Sequence, residues 1–137
     1  MSENSRFVGI FRLVWSSPIL RPEDLAHPGV RGVLFVGTGL GHVPRRCLDA
    51  VADLRRRDVL LAMTSQCLWG RVNLNVYSTG RDLLERGVVP GEDMLPEVAL
   101  VKMMWCLAQT RSVAEAAQKF RTLVAFEFDP TTPFEVA

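Results

Sequence analysis

Most of the side chains that could do chemistry lie in two short segments of the sequence. The first, from Gln66 to Arg81, contains Gln, Cys, Trp, Asn and Tyr at a density that suits a ligand-facing loop or a tight interface. The second, from Gly37 to His42, reads Gly-Thr-Gly-Leu-Gly-His. Their amides, hydroxyls and imidazole can hydrogen-bond a small polar ligand. A long but inert crossover is the alternative for the first segment.

Cys67 and His42 are the side chains with the clearest potential for reactivity. A cysteine nucleophile needs an activating base nearby, and His42 is the sole candidate at the same edge of the predicted fold. The residues around Cys67 do not form a pattern of the kind that cysteine hydrolases use, so the sequence does not favour covalent catalysis by this thiol. A lone histidine just before the helix that begins at Pro44 is more often a cap or a polar neighbour than a functional group.

The glycine-rich segment invites a dinucleotide-binding interpretation, which its spacing disfavours. The Rossmann fingerprint needs G-x-G-x-x-G, but Gly41 comes one position early and His42 stands where the third glycine should be. The acidic residue expected about 20 positions later is also missing, because that position falls near Leu60 in an apolar run. A tight turn or close backbone packing is the simpler explanation for at least one of these glycines.

Three polar residues of the first segment alternate along the chain: Asn73, Asn75 and Tyr77. Alternation places side chains on one face of an extended stretch, where they could contact a ligand together or only satisfy the backbone of the loop. Trp69 and Trp105 are interpreted as core or interface aromatics rather than stacking platforms.

Composition limits the remaining functions. The 137 residues include 16 basic and 15 acidic side chains, and the formal charge of +1 offers no footprint for direct binding of nucleic acid or an anionic membrane. Three scattered cysteines form neither a disulfide framework nor a zinc pattern, so we predict no metal, no cofactor and a reducing, cytoplasmic location. No apolar stretch reaches the roughly 18 residues of a membrane span, and the amino end has no signal-peptide core.

Alternating strands and helices must position these segments. Apolar runs predict strands at 7–15, 33–36 and 59–63, with a helix from about 44 to 57 between the last two. Further helices are predicted at 79–85, at 93–108 with Asp93 as its cap, and after a capping box at Ser112. Residues 128–137 are predicted to be an irregular tail. We therefore predict an α/β fold: a single three-layer, Rossmann-like or flavodoxin-like domain over 1–137, with a small parallel sheet flanked by helices.

The predicted topology brings the chemically rich segments together. In an open parallel sheet, ligands bind outside the carboxyl ends of the strands. Three loops should meet at that edge, namely Ser16-Ser17 and the segments 37–42 and 65–71.

The helix at 93–108 is apolar on nearly every side between Val98 and Leu107, apart from Lys102. A helix that is apolar all round must be buried on both flanks, and part of that burial could lie in another subunit or domain. We therefore expect at least a homodimer, with a wholly internal helix as the alternative.

The order and spacing of these motifs resemble the carboxyl-terminal domain of the L-asparaginase family. The resemblance covers about residues 7–127 and rests on five segments: 37–44 (GTGLGHVP), 64–67 (TSQC), 70–77 (GRVNLNVY), 79–81 (TGR) and 87–102 (GVVPGEDMLPEVALVK). Within the family, the motifs are most similar to those of archaeal glutamyl-tRNA(Gln) amidotransferase D subunits, which are related to type I asparaginases.

The resemblance implies hydrolysis of the side-chain amide of glutamine or asparagine. In this family, the nucleophilic threonine and the groups that assist it lie in a larger amino-terminal domain. No T-G-G-T or T-D-K-like segment occurs here, so we expect that catalytic domain to be absent and this chain alone to be inactive. In the amidotransferase, the ammonia passes to a partner subunit that amidates glutamate on tRNA(Gln). A non-catalytic module for dimerisation or for binding a small amide is the alternative.

The family's small domain lends residues to the active site of the neighbouring subunit. Together with the predicted edge, this makes six residues candidates for substrate binding: Gly39, Gly41, His42, Gln66, Asn73 and Tyr77. His42 stands where related enzymes often have asparagine, and Cys67 matches a cysteine that some type I enzymes use in an effector site. The sequence departs from the family at 125–127 (Ala-Phe-Glu), where a Gly-Glu pair is usual.

Overall fold

The computed structural model describes residues 10–25 and 27–129. Within them, four parallel strands form one sheet in the order β1-β2-β3-β4. The strands are β1 (Ile10–Trp15), β2 (Val30–Gly37), β3 (Leu60–Ser65) and β4 (Val89–Pro90). The α-helices are α1 (Leu48–Arg56), α2 (Ser78–Glu85), α3 (Pro96–Gln109) and α4 (Val113–Arg121), with short 3-10 helices at Pro22–Asp24 and Arg45–Cys47.

The two central strands are buried on both faces, and their side chains separate two cores. Phe35 and Met63 point into a core that includes residues of α1 and α2, whereas Leu34 and Ala62 point into a core built with α3 and α4. Successive side chains of a strand face opposite sides, so an unbroken apolar run requires a helical layer on each side of the sheet. The predicted three-layer α/β fold is therefore confirmed.

The helix predicted from about 44 to 57 starts as the 3-10 turn Arg45–Cys47 and continues as α1. Its apolar face is buried, including Val51 and Leu54, while the basic run at 55–57 is exposed at the helix end. Arg57 pairs with Asp53 one turn earlier at 3.0 Å, which agrees with a solvated helix end.

Helix α3 is buried on one side only. Ala99, Met103 and Cys106 are fully buried against the sheet and α4, whereas Val101 is 65% exposed and Met104 is 44% exposed. The predicted burial of both flanks is therefore not present within the described part of this single chain.

None of the helices in residues 10–25 and 27–129 combines the length and apolar character needed to cross a membrane.

The two predicted helix caps had different outcomes. Asp93 does not cap α3: the helix begins at Pro96 after Leu95, and the Asp93 carboxylate instead accepts a hydrogen bond from the Asp129 N–H at 2.8 Å. Ser112 does cap α4, because its hydroxyl accepts the Glu115 N–H at 3.1 Å.

The two-residue strand β4 was not predicted, since its sequence reads as the start of a turn. It becomes a strand by pairing with β3 through Ala62 and Met63. Residues 7–9 of the first predicted strand and 130–137 of the predicted tail lie outside the described residues.

Candidate functional site

A cleft of about 490 Å³ opens at the carboxyl edge of the sheet. Its walls are the loop after β2, the segment after β3 and the first turn of α2. The residues that line it are Thr38, Gly39, Leu40, Gly41, His42, Asn73, Tyr77, Ser78, Thr79 and Gly80. Five of the six predicted substrate-binding residues therefore share one cleft, and Gln66 is the exception.

The loop after β2 is a tight turn closed by its own backbone. The Thr38 carbonyl accepts the N–H groups of Gly41 and His42 at 3.0 and 3.1 Å, and the Thr38 N–H donates to the His42 carbonyl. Gly41 has a φ of 110°, a conformation that favours glycine. A Cβ on Gly37 would lie 2.7 Å from the His42 nitrogen, so a side chain there would collide with the returning strand of the turn. The tight-turn explanation of these glycines is confirmed.

Hydrogen bonds join this loop to the segment after β3. The Ser65 hydroxyl donates to the Gly39 carbonyl at 2.5 Å and accepts the Cys67 N–H at 3.1 Å. The Asn73 N–H donates to the Leu40 carbonyl at 2.9 Å. The two segments thus converge at the edge of the sheet, as predicted from the topology. Ser65 itself was not singled out as a site residue, although a hydroxyl at the end of a buried strand is a usable signal.

Gln66 holds the edge together without lining the cleft. Its side-chain amide donates to the carbonyls of Ser16 and Val36 at 2.8 and 3.0 Å, and its N–H donates to the Gly37 carbonyl at 2.8 Å. These bonds tie the ends of β1, β2 and β3. Cys67 is exposed and lies outside the cleft lining.

The stretch from Asn73 to Tyr77 forms a turn and a bend rather than an extended strand. The Asn73 side-chain oxygen accepts the Asn75 N–H at 3.1 Å, so the chain turns immediately after Asn73. Asn73 and Tyr77 line the cleft, whereas Asn75 does not. The expectation that all three share one face was therefore wrong, because alternation has this meaning only in extended backbone.

Helix α2 packs closely against this turn. Leu74 is buried, and a Cβ on Gly80 would lie 2.4 Å from the Leu74 carbonyl oxygen. Only glycine permits this approach of α2 to the turn. By contrast, Trp69 is fully exposed in this single chain, so it is not a core residue, and its interpretation as an interface aromatic stays a prediction.

His42 stands between two clefts. Besides the main cleft, it lines a smaller one of about 270 Å³ with Ser16, Ser17, Pro18, Thr38, Pro44 and Arg46. The Arg46 guanidinium donates to the carbonyls of Pro18 and Leu20, which anchors the loop after β1. All three predicted loops therefore meet at this edge.

The cleft can bind and orient a polar ligand, but it lacks the parts of an acyl-transfer site. Its lining carries hydroxyls, an amide, a phenol and one imidazole, and it contains no carboxylate or lysine. Among the described residues, no hydrogen bond links a hydroxyl of the cleft to His42, so no nucleophile–base pair is formed. The same residues contain no group of three or more His, Cys, Asp or Glu side chains arranged to hold a metal ion.

The described residues thus form a small three-layer α/β domain whose polar loops gather at one edge of its sheet. The family follows from sequence comparison. Residues 8–120 match the model described as "Glutaminase/Asparaginase C-terminal domain", and the chain belongs to this family. The family inferred from the motifs is thereby confirmed.

Relatives and solved structures agree with this assignment. The chain is 48% identical over 113 residues to the D subunit of the Pyrococcus abyssi glutamyl-tRNA(Gln) amidotransferase, covering 82% of this chain and 26% of that relative. It is 53% identical over 121 residues to the corresponding D subunit of Archaeoglobus fulgidus, covering 87% and 28%. The thermostable L-asparaginase from Thermococcus kodakarensis superposes with a TM-score of 0.82 at 33% identity, over 88% of this chain and 38% of that one. The chain thus spans about a quarter of the length of these curated relatives.

Proposed function

We propose that this chain is the carboxyl-terminal domain of an asparaginase/glutaminase-type amidohydrolase, and specifically of a glutamyl-tRNA(Gln) amidotransferase D subunit. Such a protein would release ammonia from glutamine for tRNA-dependent amidation by a partner subunit. The observation that carries the proposal is the identity of 48–53% to D subunits over more than four fifths of this chain. The family match also includes every residue that lines the cleft.

In this proposal, an amino-terminal asparaginase-type domain supplies the nucleophile, and this chain supplies a wall of the site. Two observations support the division of labour. The cleft has no nucleophile–base pair of its own, and its polar groups at His42, Asn73 and Tyr77 are exposed at an open sheet edge. The active site that this wall completes belongs to the neighbouring subunit of a dimer. The protein works in the cytoplasm, where the exposed thiol of Cys67 would stay reduced.

Each residue of the cleft has a specific role in this arrangement. Gly39 and Gly41 shape the turn that presents His42, whose imidazole hydrogen-bonds the amide or the α-substituents of the substrate. The Asn73 and Tyr77 side chains line the same cleft. Gln66 acts through its three backbone contacts, which hold the loops in register. Cys67, outside the cleft, is the candidate for an effector site.

The decisive test supplies the catalytic domain, by fusion or in trans, and measures glutaminase and asparaginase kinetics. We expect His42→Ala to lower kcat/KM by about 10- to 100-fold, because small displacements of reacting groups cost factors of that order. The matched control is Arg56→Ala on the exposed end of α1, which should change neither activity nor the circular dichroism spectrum. An unaltered kcat/KM in the His42 variant would remove this residue from the site.

The purified chain alone should show no turnover of glutamine or asparagine, because the part of it that the structure describes offers no activated nucleophile with an oxyanion site. Activity that survives both Cys67→Ala and His42→Ala would reveal a nucleophile elsewhere in the chain and would contradict the proposal.

The exposed flank of α3 favours a second candidate function, a non-catalytic dimerisation module. Val101, Met104 and Trp105 form an apolar surface that a monomer rarely leaves open. We expect a dimer in sedimentation experiments, and Met104→Glu should weaken it. A strictly monomeric chain at high concentration would count against both the dimer and this alternative.

A further inference from the structure

The segment that follows α4 is tied at both ends to other parts of the fold. Residues 122–129, which we call the strap, have no regular secondary structure and lie beside α3. Its first part contacts a buried lysine of α3, and its last residue contacts the segment that builds the cleft. The strap therefore bridges the helical layer and the functional edge of the sheet.

Lys102 holds the strap at two points, Thr122 and Glu127. Its side chain is only 6% exposed, and its Nζ donates to the Thr122 carbonyl at 2.7 Å and to the Glu127 carboxylate. The rings of Phe120 and Phe128 lie 5.6 and 4.8 Å from the same ammonium. A buried ammonium without its anion is strongly destabilised, so α3 holds the strap in place.

The Glu127 carboxylate folds the strap upon itself. Besides Lys102, it accepts the N–H groups of Val124 and Ala125 at 2.9 and 2.6 Å. The bend passes through Phe126, whose φ of 60° lies in the left-handed region. Glycine adopts this conformation without strain, whereas a phenylalanine adopts it at a cost in energy.

The last residue of the strap, Asp129, is bound by Arg71 in the segment after β3 and by Asp93 just before α3. Its N–H donates to the Asp93 carboxylate at 2.8 Å, and its carbonyl accepts from the Arg71 guanidinium. The other branch of that guanidinium donates to the Glu92 carboxylate. Arg71 immediately precedes Val72 and Asn73, which are held by the carbonyls of Glu92 and Leu40 at 3.0 and 2.9 Å.

We propose that the strap positions the wall of the cleft and that Arg71 is the positioning residue that connects the two. The forked guanidinium holds Glu92 and Asp129 at once, which a lysine with a single ammonium cannot reproduce in the same geometry. With the strap locked by Lys102 and Glu127, Arg71 keeps Asn73 against the loop that carries His42. The functional meaning of this connection rests on the proposed function, since it assumes that the cleft binds the amide substrate.

Amide hydrogen exchange on the intact chain tests the connection directly. The readouts are the N–H groups of Val72 and Asn73, which local opening of the cleft wall would expose. We expect Arg71→Lys and Glu127→Gln each to raise their exchange rates by about tenfold, the change that one lost hydrogen bond makes in an opening equilibrium. The matched controls Arg56→Lys and Glu85→Gln, on exposed positions of α1 and α2, should leave these rates unchanged.

The double variant separates a connection from general destabilisation. If the strap acts through Arg71, Glu127→Gln adds nothing once Arg71→Lys is present, whereas independent effects would multiply. Multiplied effects, or an unchanged rate in Arg71→Lys, would overturn the inference. Kinetics measured with the catalytic domain distinguish the two proposals. If kcat/KM falls in His42→Ala but Val72 and Asn73 exchange at the wild-type rate in Arg71→Lys, only the role of the strap is refuted. If exchange is faster in Arg71→Lys but kcat/KM is unaltered in His42→Ala, only the proposed role of the cleft is refuted.

Discussion

The buried pair of Lys102 and Glu127 should control the stability of this domain, and charge removal on one side is the most informative perturbation. The two side chains are 6% and 10% exposed, so neither charge is well hydrated in the folded state. Glu127→Gln keeps the shape and the acceptor for the strap N–H groups but removes the anion. Among the described residues, the Lys102 ammonium then keeps the Thr122 carbonyl and the two aromatic rings as its partners.

The pKa of Glu127 sets the expected magnitude. Burial alone would raise this pKa, but the hydrogen bonds from Lys102 and the strap N–H groups outweigh it and lower the pKa from 4.5 to about 2. At about 1.4 kcal/mol per pH unit, that gap corresponds to at most about 3.5 kcal/mol of folding stability. Solvent near the strap reduces this value, so we expect Glu127→Gln to lower the free energy of unfolding at pH 7 by about 2–3 kcal/mol.

The same pKa fixes the pH dependence. Because the folded-state pKa lies below the unfolded value, the stabilisation is complete above about pH 4.5 and is lost as the pH falls towards 2. The wild-type chain should therefore lose this contribution as the pH falls through that interval, whereas Glu127→Gln should not. At the acid end of this range the wild type and Glu127→Gln should approach the same free energy of unfolding, because the other ionisations are common to both proteins.

Urea unfolding followed by circular dichroism provides the measurement, at neutral pH and at values of about 4.5 and 2.5 that span the titration of Glu127. Adding Lys102→Met to Glu127→Gln removes both charges and should restore at least half of the loss. The exposed pair of Arg57 and Asp53 is the control, and Arg57→Met should cost less than about 0.5 kcal/mol. Equal stability of wild type and Glu127→Gln at pH 7 would refute the reasoning.

Three further predictions concern the backbone and the thiols. Phe126→Gly should raise thermal stability by up to about 1 kcal/mol, because relief of left-handed strain exceeds the added entropy of the unfolded chain; Thr110→Gly, in extended backbone, should destabilise instead. Gly80→Ala should cost at least about 2 kcal/mol, since its Cβ would lie 2.4 Å from the Leu74 oxygen. Gly39→Ala, with no atom within 4 Å, should cost only about 1 kcal/mol for its positive φ, and equal losses would contradict the close-contact argument. In thiol titration Cys67 should react at once, whereas burial raises the pKa of Cys47 and Cys106 and should delay them until unfolding; a fast phase that persists in Cys67→Ser would be inconsistent.

Local patterns in the sequence were sufficient for most of the fold. The apolar runs of β2 and β3 predict strands buried on both faces, and the structure places them at the centre of the sheet. The Ser112 cap and the helical spacing of α1 could likewise be predicted, because each signal lies within a few neighbouring residues. β4 could not, since two residues carry no periodicity and become a strand only by pairing with β3.

The same division holds for the candidate site. Sequence motifs identified the glycine-rich turn and the polar segment, and the parallel topology predicted that they would meet. Side-chain orientation could not be predicted: Gln66 binds the Ser16 carbonyl just after β1, 50 positions earlier, and Asn75 lies outside the cleft.

What the sequence by itself determined is the family, the layers of the fold and the edge at which the cleft lies, because these depend on the order of short local patterns. Only the tertiary structure decided which polar groups are bound to the protein and which face the cleft. Lys102 illustrates the reason: it interrupts an apolar helix and reads as an exception, and its role follows from Glu127, a partner 25 residues away that folding brings within hydrogen-bonding distance. Such pairings depend on packing between distant segments, which no local pattern encodes.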